Sequence, residues 1–214
     1  MRVAGVDEAG RGCAIGPLVI AGAVFSEEDV PMLVKMGVRD SKKLNAKKRE
    51  ELSARIKELA IDYKFVELSP EIIDKVVMRS VPLRRLNYLE TMIMARVIRE
   101  LRPDTAYVDP SDVDYTRCRE QIQSVLPFNV DVTCIPKADN IYPSTSAASI
   151  LAKVRRDQIV AELRSIYGDF GSGYCSDPKT QEFIESWFYD NYESPSFMRA
   201  SWVTVRRRLS RRHC

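Results

Sequence analysis

The sequence predicts an α/β layer fold in which hairpin strands lie at one side of the sheet and parallel strands at the other. Three observations predict it. Short, largely apolar runs open the chain, strand and helix patterns alternate through its middle, and from residue 146 onward the periodicity is helical throughout. No internal repeat or low-complexity stretch interrupts this order.

Arg2-Val3-Ala4-Gly5-Val6-Asp7 and Leu18-Val19-Ile20-Ala21-Gly22-Ala23-Val24-Phe25 read as a strand and a returning strand joined by a glycine-rich connection. Residues 63–68 give a third strand. Before it, residues 45–59 carry the signs of an amphipathic helix, with Asn45 as the cap and Leu52, Ile56 and Leu59 on one face. Leu86, Leu89, Ile93, Met94, Val97 and Leu101 mark a long helix that stops before Pro103. A fourth strand at 105–109 is closed by Pro110, a helix covers about 115–125, and a fifth strand covers 129–135. Helices follow at 146–167, about 179–189 and from Trp202 to Leu209. Gly171-Ser172-Gly173, with Pro178 beyond, is the expected hinge between a core at 1–170 and a C-terminal helical appendage at 171–214 that is basic at its end.

At 214 residues, with 45% hydrophobic and 29% charged residues, the chain can build an ordinary core without a disulfide or zinc staple. Its single histidine, His213, lies beside the C-terminus. That excludes Ser-His-Asp and Cys-His hydrolysis, HExxH zinc sites and the two-histidine iron triad, each of which needs an imidazole within the fold. The five cysteines show no metal-binding spacing and read as reduced thiols. No signal-peptide pattern and no long apolar run is present, so a cytoplasmic protein without membrane contact is expected. Net charge is +3, yet Arg199, Arg206, Arg207, Arg208, Arg211 and Arg212 all follow the last acid, Glu193. A basic tail on a mildly acidic body fits an anionic polymer as partner, with a solvated helix as the alternative.

Carboxylates cluster at strand ends. Asp7 and Glu8 close the first strand, Asp109 closes the fourth, and Asp139 follows the fifth. If strands one, four and five run parallel side by side, these ends converge on the edge where open α/β sheets bind ligands. Two carboxylates about 4 Å apart repel by roughly 4 kcal/mol at an effective dielectric of about 20, so the cluster calls for cations. Oxygen ligands without His or Cys select Mg²⁺ or Mn²⁺. Taken singly, each acid also fits a turn or a cap.

Gly10-Arg11-Gly12-Cys13-Ala14-Ile15-Gly16 is not a nucleotide loop, because its spacing is GxGxxxG and a strand follows it. Gly10 and Gly12 still allow close backbone approach to a ligand beside the charge of Arg11. Asp109, Asp112 and Asp114 lack the glycine and glutamate of a calcium loop. Gln181-Glu182-Phe183-Ile184-Glu185-Ser186-Trp187-Phe188 has the spacing of a sliding-clamp binding box. Its apolar residues also fit a buried helix face, which is the preferred reading, with clamp contact as the alternative.

Gly5-Val6-Asp7-Glu8-Ala9-Gly10-Arg11-Gly12, Asp40-Ser41-Lys42-Lys43-Leu44, Tyr107-Val108-Asp109, Ala138-Asp139-Asn140-Ile141-Tyr142-Pro143, Ser146-Ala147-Ala148-Ser149 through Asp157, Gly173-Tyr174 and Ser176-Asp177-Pro178 occur in this order. Together they resemble type 2 ribonuclease H (ribonuclease HII), in its archaeal form. The resemblance implies a ribonuclease H-like five-stranded mixed sheet flanked by helices. It implies endonucleolytic cleavage of RNA in RNA/DNA hybrids and on the 5′ side of ribonucleotides embedded in duplex DNA, leaving 3′-hydroxyl and 5′-phosphate ends. By motif position, Asp7, Glu8, Asp109 and Asp139 would hold two divalent ions, Mg²⁺ or Mn²⁺. Gly10, Arg11 and Gly12 would meet the 2′-hydroxyl, and Tyr174 would stack on the deoxyribose after the ribonucleotide. Ser41, Lys42, Lys43, Lys153 and Arg155 would lie near the substrate backbone. On sequence alone, Lys153 and Arg156 equally fit the outer face of a helix. The tail, Arg206, Arg207 and Arg208, would hold the duplex, and the enzyme would act as a monomer. A different metal nuclease on the same fold and a non-catalytic hybrid-binding module are the rival readings.

Overall fold

The computed structural model describes residues 1–38, 44–79 and 86–211. Ser41, Lys42 and Lys43 lie outside them. Five strands, β1 (Arg2–Ala9), β2 (Leu18–Ser26), β3 (Asp62–Leu68), β4 (Thr105–Val108) and β5 (Asp131–Cys134), form one sheet in the order β3-β2-β1-β4-β5. β1 pairs antiparallel with β2 and parallel with β4, and β4 pairs parallel with β5. The sheet is therefore mixed, with the hairpin on one side and the parallel strands on the other, as the sequence predicts. The helices are α1 (Val30–Lys35), α2 (Ala46–Leu59), α3 (Pro70–Val77), α4 (Leu86–Leu101), α5 (Tyr115–Val125), α6 (Pro143–Tyr167), α7 (Pro178–Asp190) and α8 (Val203–Arg211). Among the described residues no helix is long and apolar enough to cross a membrane.

Two of these helices, α1 and α3, have no counterpart in the predicted pattern. Both are under three turns, too short for a 3.6-residue period to stand out. The start of α3 is nevertheless marked locally: the Ser69 hydroxyl accepts from the Ile72 N–H and Pro70 opens the helix. The Asn45 cap is confirmed, its side chain accepting from the Lys48 N–H at 2.9 Å. α6 starts three residues earlier than the pattern suggests, at Pro143, which sets the first-turn φ without losing a needed donor.

The chain divides into two compact units. The first comprises Met1–Ala9, Val19–Val66 and Asn87–Arg155, and the second Gly10–Leu18, Glu67–Leu86 and Arg156–Cys214. In the first, Gly5 faces Ala23 and Val6 faces Gly22 across the hairpin, so the missing side chains of Gly5 and Gly22 point to opposite faces. A Cβ on Gly5 would fall on the Ser144 and Thr145 backbone at the start of α6, and one on Gly22 would strike Val97 and Leu101 of α4. Helices thus cover both faces of the sheet at van der Waals distance, and the two glycines allow the approach.

The second unit has its own core. Ala14, Ile15, Val160, Phe170, Ile184, Phe188, Phe197, Met198 and Val205 are buried together, with Phe183, Trp187, Trp202 and Leu209 packed against them. The buried-face reading of 181–188 is thereby met, since Ile184 and Phe188 lie in this core and Phe183 and Trp187 pack against it. α8 belongs to the same core through Val205 and Leu209. Just before it, the Asp74 carboxylate of α3 accepts the N–H groups of Ala200 and Ser201 at 2.8 and 3.0 Å and the Ser201 hydroxyl at 2.5 Å.

Candidate active site

The first unit builds its site from strand ends. Val6 of β1 is in register with Val108 of β4, and Val108 with Cys134 of β5. The ladder continues one step, with the Asp109 N–H donating to the Val6 carbonyl at 3.1 Å. Asp7 and Asp109 therefore leave adjacent parallel strands at the same level and on the same side. Asp139 arrives from the connection after β5, on a single 3-10 turn at Ala138–Asn140. Lys137 enters that turn in the left-handed conformation, with φ 56°, an uncommon cost for a residue with a side chain. Its N–H donates to Asp109 Oδ1 at 2.9 Å, which ties the turn to the end of β4. Ser146 of α6 closes the turn by donating its hydroxyl to the Asp139 carbonyl.

One carboxylate oxygen from each of Asp7, Asp109 and Asp139 lies within 4.8 Å of the others. Asp7 is 5% exposed and Asp139 4%. Glu8 is half-buried and stands outside this group of three, although its charge acts on the Asp7 carboxyl. Burial first, then the charges of Glu8 and Asp109, push the Asp7 carboxyl well above its ordinary value, against hydrogen bonds from Ser149 and the Glu8 N–H. Three converging acids, one of them so reluctant to ionise alone, fit a multivalent cation as counter-charge.

The family model for ribonuclease HII matches residues 4–205 of the chain that carries this site. This chain belongs to the ribonuclease HII family. It is 42% identical over 207 residues to ribonuclease HII of Thermococcus onnurineus, covering 97% of this chain and 89% of that one. Ribonuclease HII of Methanothermobacter thermautotrophicus is 43% identical over 214 residues, covering 97% and 99%. Among solved structures, ribonuclease H2 of Pyrococcus horikoshii matches with a TM-score of 0.91 and 40% identity, over 99% of this chain and 98% of that one. The PCNA:RNase HII complex of Archaeoglobus fulgidus matches with a TM-score of 0.85 and 40% identity, over 95% and 94%. A ribonuclease HIII at 20% identity shares the fold, with a TM-score of 0.81 over 98% of this chain and 70% of that one. Membership makes the chain a metal-dependent ribonuclease, an endonuclease that hydrolyses phosphodiesters.

The other residues singled out in the sequence divide between the units. Lys153 and Arg155 are half-buried on α6 in the first unit. In the second, Gly10 has φ +89°, closed to ordinary side chains, whereas a Cβ on Gly12 would meet nothing within 4 Å. Tyr174 pairs with Cys13 in an isolated bridge, and the Arg156 guanidinium lies over its ring at 4.8 Å. Burial, helped by the charge of Cys13, pushes the Tyr174 hydroxyl up to about 12.

Two arginines correct the sequence reading. Arg156, an outer-face candidate, is 1% exposed, and Arg199, counted with the basic tail, is 0% exposed. Arg156 donates to the Ser172 carbonyl at 2.7 Å. A signal for it existed: Thr145, Ser149, Ala152 and Arg156 recur at helical spacing on one buried face of α6. Arg199 had a weaker one, its position among Phe197, Met198 and Trp202. Of the tail, Arg206 and Arg207 are exposed, whereas Arg208 is tied to Glu185 of α7. Asp112, set aside as a calcium ligand, grips Arg117 with contacts of 2.6 and 3.2 Å, and Asp114 caps α5.

Proposed function

We propose that the chain hydrolyses the RNA strand of RNA/DNA hybrids and cuts on the 5′ side of ribonucleotides embedded in duplex DNA, leaving 3′-hydroxyl and 5′-phosphate ends. The observation that carries this reading is the convergence of Asp7, Asp109 and Asp139 at parallel strand ends in a member of the ribonuclease HII family. An oxygen-only donor set suits Mg²⁺ or Mn²⁺, and two such ions are proposed. Asp7, Asp109 and Asp139 would hold them, and Glu8, whose charge already reaches the Asp7 carboxyl, would complete the set. When bound, the ions supply an activated water for in-line attack and charge stabilisation for the leaving 3′ oxygen, the work that an imidazole does elsewhere.

The chain's own residues supply orientation. Lys137 and Ser146 fix the turn that carries Asp139, and Ser149 bonds Asp7. Gly10, Arg11 and Gly12 offer backbone to the 2′-hydroxyl, the atom that separates RNA from DNA. Tyr174, with Arg156 over its ring, is the proposed platform for the following deoxyribose. Ser41, Lys42, Lys43, Lys153, Arg155, Arg206, Arg207 and Arg208 are proposed to hold phosphates, a role that positions without reading sequence. The Archaeoglobus fulgidus relative was solved as a complex with PCNA. Ile184 and Phe188 lie in the core of the second unit with Phe183 and Trp187 packed against it, which favours another segment for any clamp contact by this chain.

Cleavage of three matched duplexes in Mg²⁺ tests the reading. An RNA/DNA hybrid and a DNA duplex with one ribonucleotide should be cut, and the all-DNA duplex should not. Equal cutting of all three would favour a general nuclease, and tight binding without cutting a hybrid-binding module.

A further inference from the structure

The Arg199 guanidinium is fully buried and bonds three carbonyls of one loop. It donates to the Gly10 oxygen at 2.7 Å, to the Arg11 oxygen at 2.7 Å and to the Gly16 oxygen at 3.1 and 3.3 Å. Its central carbon lies over the Trp202 ring, 4.8 Å from the centroid. The surrounding backbone is pinned separately. The Arg199 N–H donates to the Ala14 oxygen at 2.8 Å, the Gly16 N–H to the Phe197 oxygen at 2.9 Å, and Ile15 bridges to Met198.

Peptide units are planar and trans, so a carbonyl and the next N–H point in opposite directions. With the carbonyls of Gly10 and Arg11 held on Arg199, the N–H groups of Arg11 and Gly12 are turned away from the guanidinium. A guanidinium suits this task because its five donors sit in a rigid fork, where an ammonium offers one point charge. We propose that Arg199 is the positioning residue of the Gly10-Arg11-Gly12 loop: by holding two consecutive carbonyls inward it aims two consecutive amides outward, and so sets how well the enzyme distinguishes ribose from deoxyribose. This rests on the proposed reading of that loop as the contact for the 2′-hydroxyl. A residue of the C-terminal segment, distant in sequence from every acid of the site, thereby acts on substrate choice.

The test compares Arg199→Lys with its parent, both carrying Asp139→Asn to block cutting, in Mg²⁺. Dissociation constants are measured for a duplex with one ribonucleotide and for the same duplex in all-DNA form, after circular dichroism and thermal melting have established the folded fraction. The parent should prefer the ribonucleotide duplex. Arg199→Lys should lower that preference by up to about tenfold, the scale of one lost hydrogen bond, while affinity for all-DNA stays within about twofold. A preference that is unchanged, or two affinities that fall together as a merely structural loss would make them, overturns the proposal. If Arg199→Lys does not fold, Arg199→Gln, which keeps an amide donor and removes the buried charge, carries the same comparison. A parent that shows no preference overturns the loop reading and this proposal together. Preserved discrimination in Arg199→Lys, with the parent still preferring the ribonucleotide, overturns this proposal alone.

Discussion

Asp7 holds its proton more tightly than an ordinary carboxyl because burial, Glu8 and Asp109 all oppose its charge. A carboxyl raised by folding contributes stability that is full below its unfolded value of about 3.9 and is lost as pH rises through the raised folded value. In the metal-free protein, Asp7→Asn is therefore expected to melt above the parent at pH 8, with the difference closing as pH falls toward 4. Differential scanning calorimetry in EDTA measures this, and a variant that melts below the parent at pH 8 would show that Asp7 carries no repulsion there. Added Mg²⁺ should stabilise the parent and release protons, since metal and proton compete for the same oxygens. Gly12 gives a second prediction at this scale. Its Cβ would have open space and its φ is not in the left-handed range, so Gly12→Ala should keep its melting temperature within a few degrees. If the loop backbone meets the ribose, the same variant should lose about tenfold or more in kcat/KM on a one-ribonucleotide duplex.

Among the elements, α6 and α8 carry the sharpest consequences. The Gly5 position abuts the start of α6 so closely that Gly5→Ala should cost about 1–3 kcal/mol or more in urea unfolding, because the obstacle is backbone that has no rotamer to yield. α8 divides its arginines: Arg206 and Arg207 face solvent and Arg208 is engaged by Glu185. If the tail holds the duplex, neutralising Arg206 and Arg207 should lower the slope of log K against log salt by about 0.9 for each phosphate that is no longer neutralised, and Arg208→Gln should change it less. An unchanged slope in the double variant would leave α8 as a packed, solvated helix. The strands, α4 and the end of α6 were legible because their apolar spacing is regular over two or more turns or pleats. α1 and α3 were not, since eight residues or fewer give periodicity too little length, and Ser69-Pro70 was the one local mark of α3. β5 is shorter than its apolar run, ending at Cys134 before the connection that carries Asp139.

At the scale of the whole molecule, three of four acids placed at strand ends by the sequence are brought together by parallel pairing of β1, β4 and β5. That convergence could be read in advance because it depends on strand order and on where each apolar run stops. The positions of Glu8, Arg156 and Arg199 depend instead on which way one side chain turns and on packing between segments far apart in sequence. Burial of an arginine leaves no periodic trace unless its helix face is counted residue by residue, as Thr145, Ser149, Ala152 and Arg156 allow. Net charge hides the same distinction. A total of +3 contains an acidic site, two buried arginines and two exposed arginines on α8. The chemistry proposed for this combination predicts the products, since water and not the 2′-hydroxyl is the nucleophile. The most direct measurement is therefore the chemical identity of both ends made from a duplex with one ribonucleotide in Mg²⁺, read by mass spectrometry. A cut on the 5′ side of the ribonucleotide with 3′-hydroxyl and 5′-phosphate ends is expected. A cut on its 3′ side leaving a 2′,3′-cyclic phosphate and a 5′-hydroxyl would contradict it.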